Sequence, residues 1–266
     1  MRHLALLFAI LLSGSSLPSA HASPPPDFAA VFGQLRMQDD YLQQLGWRLR
    51  TGNAPFCTDA VPDIGLLLQD AATFPDSAAV RQVNAIAGDF FVQSVAAHSP
   101  AERAGLKPGT EVSGVNGTAF ADFPLNPAEK WRRLQDIDVH IRELLHADGS
   151  VSLMLPGGKP PLLIEGVPAC PGRFELLTKY DTASANAERV AVGAKFIGLT
   201  YPENEFAAVL AHELAHVILK HPQWLDTNGR KRRDVRATER EADELMPWLL
   251  VNAGYEPDAA VRFMQR

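Results

Sequence analysis

Between Pro202 and Pro222 lies a run rich in Ala, Leu and Val, and it contains His212-Glu213-Leu214-Ala215-His216. A proline at either end limits how far a helix can extend. Phe206, Val209, Leu210, Val217 and Ile218 recur as an apolar stripe. The run is expected to be a buried helix over about 203–220, opened by a capping box between Thr200 and Glu203. Residues four apart share one face of such a helix, so two imidazoles stand side by side in an apolar setting. Packing alone gains little from that arrangement, whereas two neutral imidazoles on one face suit a metal ion.

Zinc fits this pattern, because a catalytic zinc uses three protein ligands and leaves one position for water. Glu213, next to the first histidine, is placed to act on that water as general base. His212 and His216 supply two ligands and a third is needed. His221 is near in sequence but lies five residues beyond His216, which on a continuous helix turns it to another face. It reads instead as a residue of the helix C-terminus, favoured by the macrodipole. A second helix is expected over about 235–252, with Pro247 inside it as a kink. It carries Glu239, Glu241 and Asp243. Glu239 gives a His2Glu set holding one Zn2+ per chain, and Glu241 is the rival carboxylate. Asp243, one turn beyond Glu239, can orient a ligand histidine through its free N–H. The plain alternative is a pair of core histidines beside a solvated charged helix face.

Other classes have less support. The net charge of −6 gives no electrostatic basis for nucleic-acid binding. Residues 1–22 have the form of an export signal: Arg2, an apolar stretch at 4–12, and the small-x-small Ala20-His21-Ala22. The expectation is a periplasmic or secreted protein, with an uncleaved N-terminal anchor as the alternative. Residues 23–26 read as a linker, and no stable membrane insertion is expected after cleavage. Cys57 and Cys170 are the two cysteines. In an exported chain an even count favours a disulfide, and two buried free thiols remain the alternative.

An amphipathic helix is expected over about 27–50, with Phe28, Phe32, Leu35, Leu42, Leu45 and Leu49 at helical spacing. Residues 23–78 are read as this helix and a linker packed on the C-terminal part that carries the histidines. From about 79 the signals change to short strands and turns: a strand at 90–95, a short helix capped by Ser99, a hairpin at Asn116-Gly117, and strands near 151–155 and 162–167. A longer helix is expected over about 128–146. The segment "GDFFVQSV" followed by "SPAERAGLKPGTEVSGVNG" resembles a PDZ domain of the bacterial protease-associated type, over residues 79–168. The resemblance implies a peptide ligand added as an extra strand. It sets Ala87-Gly88-Asp89-Phe90 where the family's carboxylate-binding loop stands, and Asp89 is unfavourable for a peptide carboxylate there. Cys57 and Cys170 flank this region, so a bridge would fasten it at its base.

Residues 169–266 are read as one domain, and from about 172 to 266 it resembles the HtpX-like and CAAX-prenyl-endopeptidase family of zinc peptidases, in a soluble periplasmic form. The stretches "SANAERVAVGAKFIGL", "ELAHVILKH", "EREAD" and "AGYEPDAA" carry the likeness. It implies Glu239 as third zinc ligand, Asp243 behind a ligand, and a substrate-pairing edge strand at Val190, Ala191, Val192 and Gly193. The implied fold class is α+β: a mainly helical zincin-type domain with a small sheet, plus the inserted PDZ-like unit. The implied activity is endopeptidase cleavage of exported or misfolded polypeptides. Tyr255, Tyr201 and Arg236 are candidates to stabilise the oxyanion. Two other readings stay open: a PDZ-containing binding or chaperone protein with a non-catalytic zinc, and a zinc hydrolase acting on cell-wall amides.

Overall fold

In the computed structural model, which describes residues 27–266, the apolar sequence between the two prolines becomes the central helix of a helical core, and everything else is arranged around it. The export-signal and linker readings at 1–26 lie outside the described residues.

The first helix, α1, runs Phe28–Gly52, and the Asp27 carboxylate accepts the Ala29 N–H at 3.0 Å as its cap. Its two halves serve different cores. Phe32 packs with Val80, Ile86 and Phe91, whereas Leu42, Leu45 and Leu49 join the main core. Gly46 sits where the Phe174 ring presses on the helix, and a Cβ there would lie 2.4 Å from it.

The chain then forms β1 (Val61–Asp63), β2 (Leu66–Asp70), α2 (Ser77–Asn84), β3 (Phe90–Val95), α3 (Pro100–Arg103), β4 (Gly114–Val115), β5 (Thr118–Ala119), α4 (Trp131–Asp148), β6 (Ser150–Met154), β7 (Leu162–Glu165) and β8 (Val167–Ala169). Strands β1 and β8 pair antiparallel, and beside them Cys57 and Cys170 form a disulfide with Cα atoms 5.5 Å apart. The chain therefore enters and leaves this unit through one stapled neck. The unit has its own core, which includes Ile64, Leu68, Phe90, Val112, Phe120, Ile137 and Leu153. Because Ile64 and Leu68 belong to that core, the unit starts at the neck, and the expected boundary at 79 falls inside it.

Local chemistry inside the unit follows the turn signals. Ser99 Oγ accepts the Glu102 N–H, and Asn116 and Gly117 take positive φ (47° and 85°) in the β4–β5 hairpin. Helix α2 is an addition to the expected strands and turns; the Asp76 carboxylate caps it through the Ala79 N–H. Asp89 is tied into ion pairs with Arg81 and Arg133, and Arg133 also binds buried Asp70. Strand β3 is bonded on both sides, to β2 on one and to the 109–112 segment on the other. A peptide therefore has no free edge on β3; the open edge of that pair belongs to β2.

Beyond the neck come β9 (Arg173–Leu177), β10 (Ala183–Ala185) and β11 (Arg189–Gly193), in the order β10-β11-β9. Val190, Ala191, Val192 and Gly193 thus form the middle strand, antiparallel to β10 and parallel to β9. They cannot offer an edge to substrate as expected. The edge strand is β10, since β9 is laid against α1 through the Gln43 side chain on the Phe174 carbonyl.

Helix α5 (Glu203–Ile218) buries every residue from Glu205 to Ala211. The expected capping box is absent: Thr200 Oγ1 donates to the Ile197 carbonyl, and Pro202 precedes the helix without a side-chain cap. Lys220 adopts φ 58° and Pro222 opens a new helix, α6 (His221–Asn228), where a loop is expected. Pro222 therefore both stops one helix and starts the next. Helix α7 (Arg232–Asn252) continues through Pro247, and α8 (Ala259–Met264) closes the core. No helix among the described residues is long and apolar enough to cross a membrane.

Candidate active site

Helix α5 carries His212, Glu213 and His216, and α7 crosses it so that Ala242, Met246, Leu249 and Leu250 pack with Leu210, Leu214 and Val217. That apolar contact fixes α7 and brings Glu239, one turn before Ala242, over the two imidazoles. His212 Nε2 and His216 Nε2 are 3.2 Å apart. Glu239 Oε2 lies 3.3 Å from the first and 3.6 Å from the second.

These distances test whether zinc fits. Bonds of about 2.0–2.1 Å in a tetrahedron place donor atoms roughly 3.3 Å apart. The three donors stand at that spacing, and two neutral nitrogens with one carboxylate oxygen form a known catalytic zinc set. The residues present fit the metal. Burial, with His212 and His221 nearby, pushes the His216 pKa down to about 4, so its imidazole is neutral near pH 7, as a ligand must be. Glu239 keeps half of its side chain exposed, so the site opens to solvent on the α7 side.

Glu213 lies beside His212, turned toward β10. Burial raises its pKa to about 6, His212 opposes that shift, Glu239 adds to it, and a hydrogen bond from the Ala185 N–H opposes it. A carboxylate poised near 6 and linked to the edge strand is well suited to take and return a proton. Asp243 Oδ1 comes within 3.0 Å of His212 Nδ1, but that nitrogen is out of line for a formed hydrogen bond.

His221, which the sequence reading put at the helix C-terminus, belongs beside the site. His221 opens α6 rather than closing α5; it is buried, and its Nδ1 is 3.0 Å from His216 Nδ1. Its Nε2 is 3.0 Å from Glu241 Oε2, so the rival carboxylate stands behind the site and not in it. The signal was the left-handed residue between two helices, which a lysine does not announce. Ala185 was also missed, because Ala-Ser-Ala has no strand signature.

The tyrosines leave the list of oxyanion candidates. Tyr255 is buried in the core under the Arg48 guanidinium, which also pairs with Glu203. Tyr201 lies under Arg266 just before α5. Both are at the N-terminal end of α5, and His212 is nine residues on, roughly 13 Å along the axis. Arg236 stays exposed on α7, one turn before Glu239. Beside β10 a groove of about 240 Å³ is lined by Tyr180, Thr182, Ser184, Asn186 and Arg189.

Residues 172–227 match the family model of Peptidase family M48. The matched segment runs from the start of β9 into α6, so it contains the edge strand, both histidines and Glu213, and ends before Glu239. The match supports a metal-dependent protease. No curated protein matches the chain.

Proposed function

We propose that the chain is a zinc-dependent endopeptidase in which His212, His216 and Glu239 hold the metal and Glu213 is the general base. The observation that carries this reading is the spacing of the three donor atoms at tetrahedral distances, with a partly buried carboxylate beside them. Zinc supplies Lewis-acid activation of water and of the scissile carbonyl. Glu213 takes the proton from the attacking water and delivers it to the leaving amine. Asp243 stands 3.0 Å behind His212 Nδ1, where a small turn of the ring would let it accept that N–H. Substrate lies extended along β10, where main-chain bonds hold any sequence and the adjoining groove receives alternate side chains. A structural zinc site would close with a fourth protein ligand; three gather here among the described residues, which favours catalysis over the binding-protein reading.

The inserted unit is proposed to be PDZ-like, with the open edge of β2 as its place for extended polypeptide. Its disulfide neck suits an oxidising compartment, in keeping with an exported protein that acts on other exported or misfolded chains. The test uses zinc-loaded protein and an unfolded polypeptide. Wild type is expected to cut it, and Glu213→Gln to keep its zinc while turnover falls by about 10²-fold or more. Turnover in Glu213→Gln equal to wild type would remove Glu213 from the chemistry.

A further inference from the structure

His221 is only 3% exposed, yet both of its ring nitrogens have polar partners. One partner is a metal-ligand candidate and the other a carboxylate on a different helix. The facing Nδ1 atoms of His216 and His221 share one proton, so one ring donates and the other accepts. The direction follows from the site. His216 Nε2 faces His212 and Glu239 and must be bare to act as a ligand. A neutral His216 therefore carries its proton on Nδ1 and donates it to His221 Nδ1. His221 is left with its proton on Nε2, which it donates to Glu241.

Local structure is arranged for this contact. Lys220, with φ 58°, ends α5 and turns His221 back toward His216. The Lys220 ammonium pairs with Asp59, close to Cys57, so the turn is tied to the disulfide neck. His212 has a carboxylate directly behind it, whereas His216 reaches one through a second imidazole. A ligand histidine fixed through its other nitrogen holds its metal better, commonly by 10–100-fold.

We propose that His221 and Glu241 are positioning residues, a His216–His221–Glu241 relay that locks His216 in its Nδ1–H tautomer and aims Nε2 at the metal. The proposal rests on the His2Glu reading, and the test separates the two. Zinc affinity would be measured on the full chain by competition with a chromophoric chelator, for wild type, His212→Ala, His221→Phe and His221→Gln. Phenylalanine keeps the ring and removes both nitrogens, while glutamine keeps one acceptor and one donor. The expected result is a 10–100-fold weaker affinity in His221→Phe, most of it restored in His221→Gln. Long-range proton–nitrogen NMR on zinc-loaded wild type is expected to show His216 protonated at Nδ1 and His221 at Nε2. Wild-type affinity in His221→Phe, with zinc lost in His212→Ala, would overturn the relay alone, as would an Nδ1–H tautomer for His221. Undiminished affinity in His212→Ala would overturn the metal site and the relay with it.

Discussion

Asp39 shows what single residues contribute away from the site. It is buried on α1 facing β3, accepts a hydrogen bond from Gln93, and has Arg36 and Asp40 beside it. Burial is the main cause of a pKa raised to about 6. An acid whose folded-state pKa lies above its unfolded one favours folding at low pH and loses that contribution as pH rises. The loss here runs from about pH 4 to about pH 6. Asp39→Asn keeps an acceptor for Gln93 and carries no charge. Denaturant titrations should find it more stable than wild type at pH 7 by roughly 2–3 kcal/mol, with the slope over that window flattened. At the candidate site, the grouping of His212, His216 and Glu239 was legible because the spacing of His on a helix and the need for a third ligand leave few choices. The placement of His221 against His216 was not, since it depends on one left-handed backbone angle at Lys220.

Helices were read well where apolar spacing was long, as in α1, α4, α5 and α7, because burial against a core imposes that period. Short elements with turn or cap signals, such as β3, α3, β6 and β7, were legible, and those without such signals were not. Helix α6 was hidden because a proline marks a start as well as a stop. Strand β10 has three small residues, and its place at the edge is set by β11 pairing on both sides. A glycine inside a helix is unfavourable when read alone, yet Gly46 is required by packing. In an exposed helix interior, Gly→Ala gains up to about 1 kcal/mol. At 46 the new methyl would meet the Phe174 ring on β9. Overpacking of that kind costs typically about 1–3 kcal/mol, so Gly46→Ala should lower the denaturation midpoint. A rise in stability would mean that Phe174 moves aside freely.

Over the whole molecule, the described residues form three apolar clusters: α1 serves two of them, and the stapled neck leads to the unit that holds the third. The disulfide closes a separation of 113 residues. For a loop that long the chain-entropy estimate is about 4.7 kcal/mol, and native bridges commonly give about 2–5. The double variant Cys57→Ala, Cys170→Ala is predicted to lose stability in that range in denaturant titrations and still bind zinc, because the ligands are held by the α5–α7 contact. The flanking positions of the cysteines were legible. The membership of β2 in the core of that unit was not, because β2 pairs with β3 across the segment that holds α2.

The claim on which the account turns is that three side chains from two helices hold one metal ion. Elemental mass spectrometry on purified wild type and on Glu239→Ala tests it most directly. The account predicts about one zinc per wild-type chain, as a three-ligand catalytic site holds one ion, and its loss or marked weakening in the variant. Wild type that neither contains zinc nor takes it up, or a variant that keeps zinc as tightly as wild type, would contradict it.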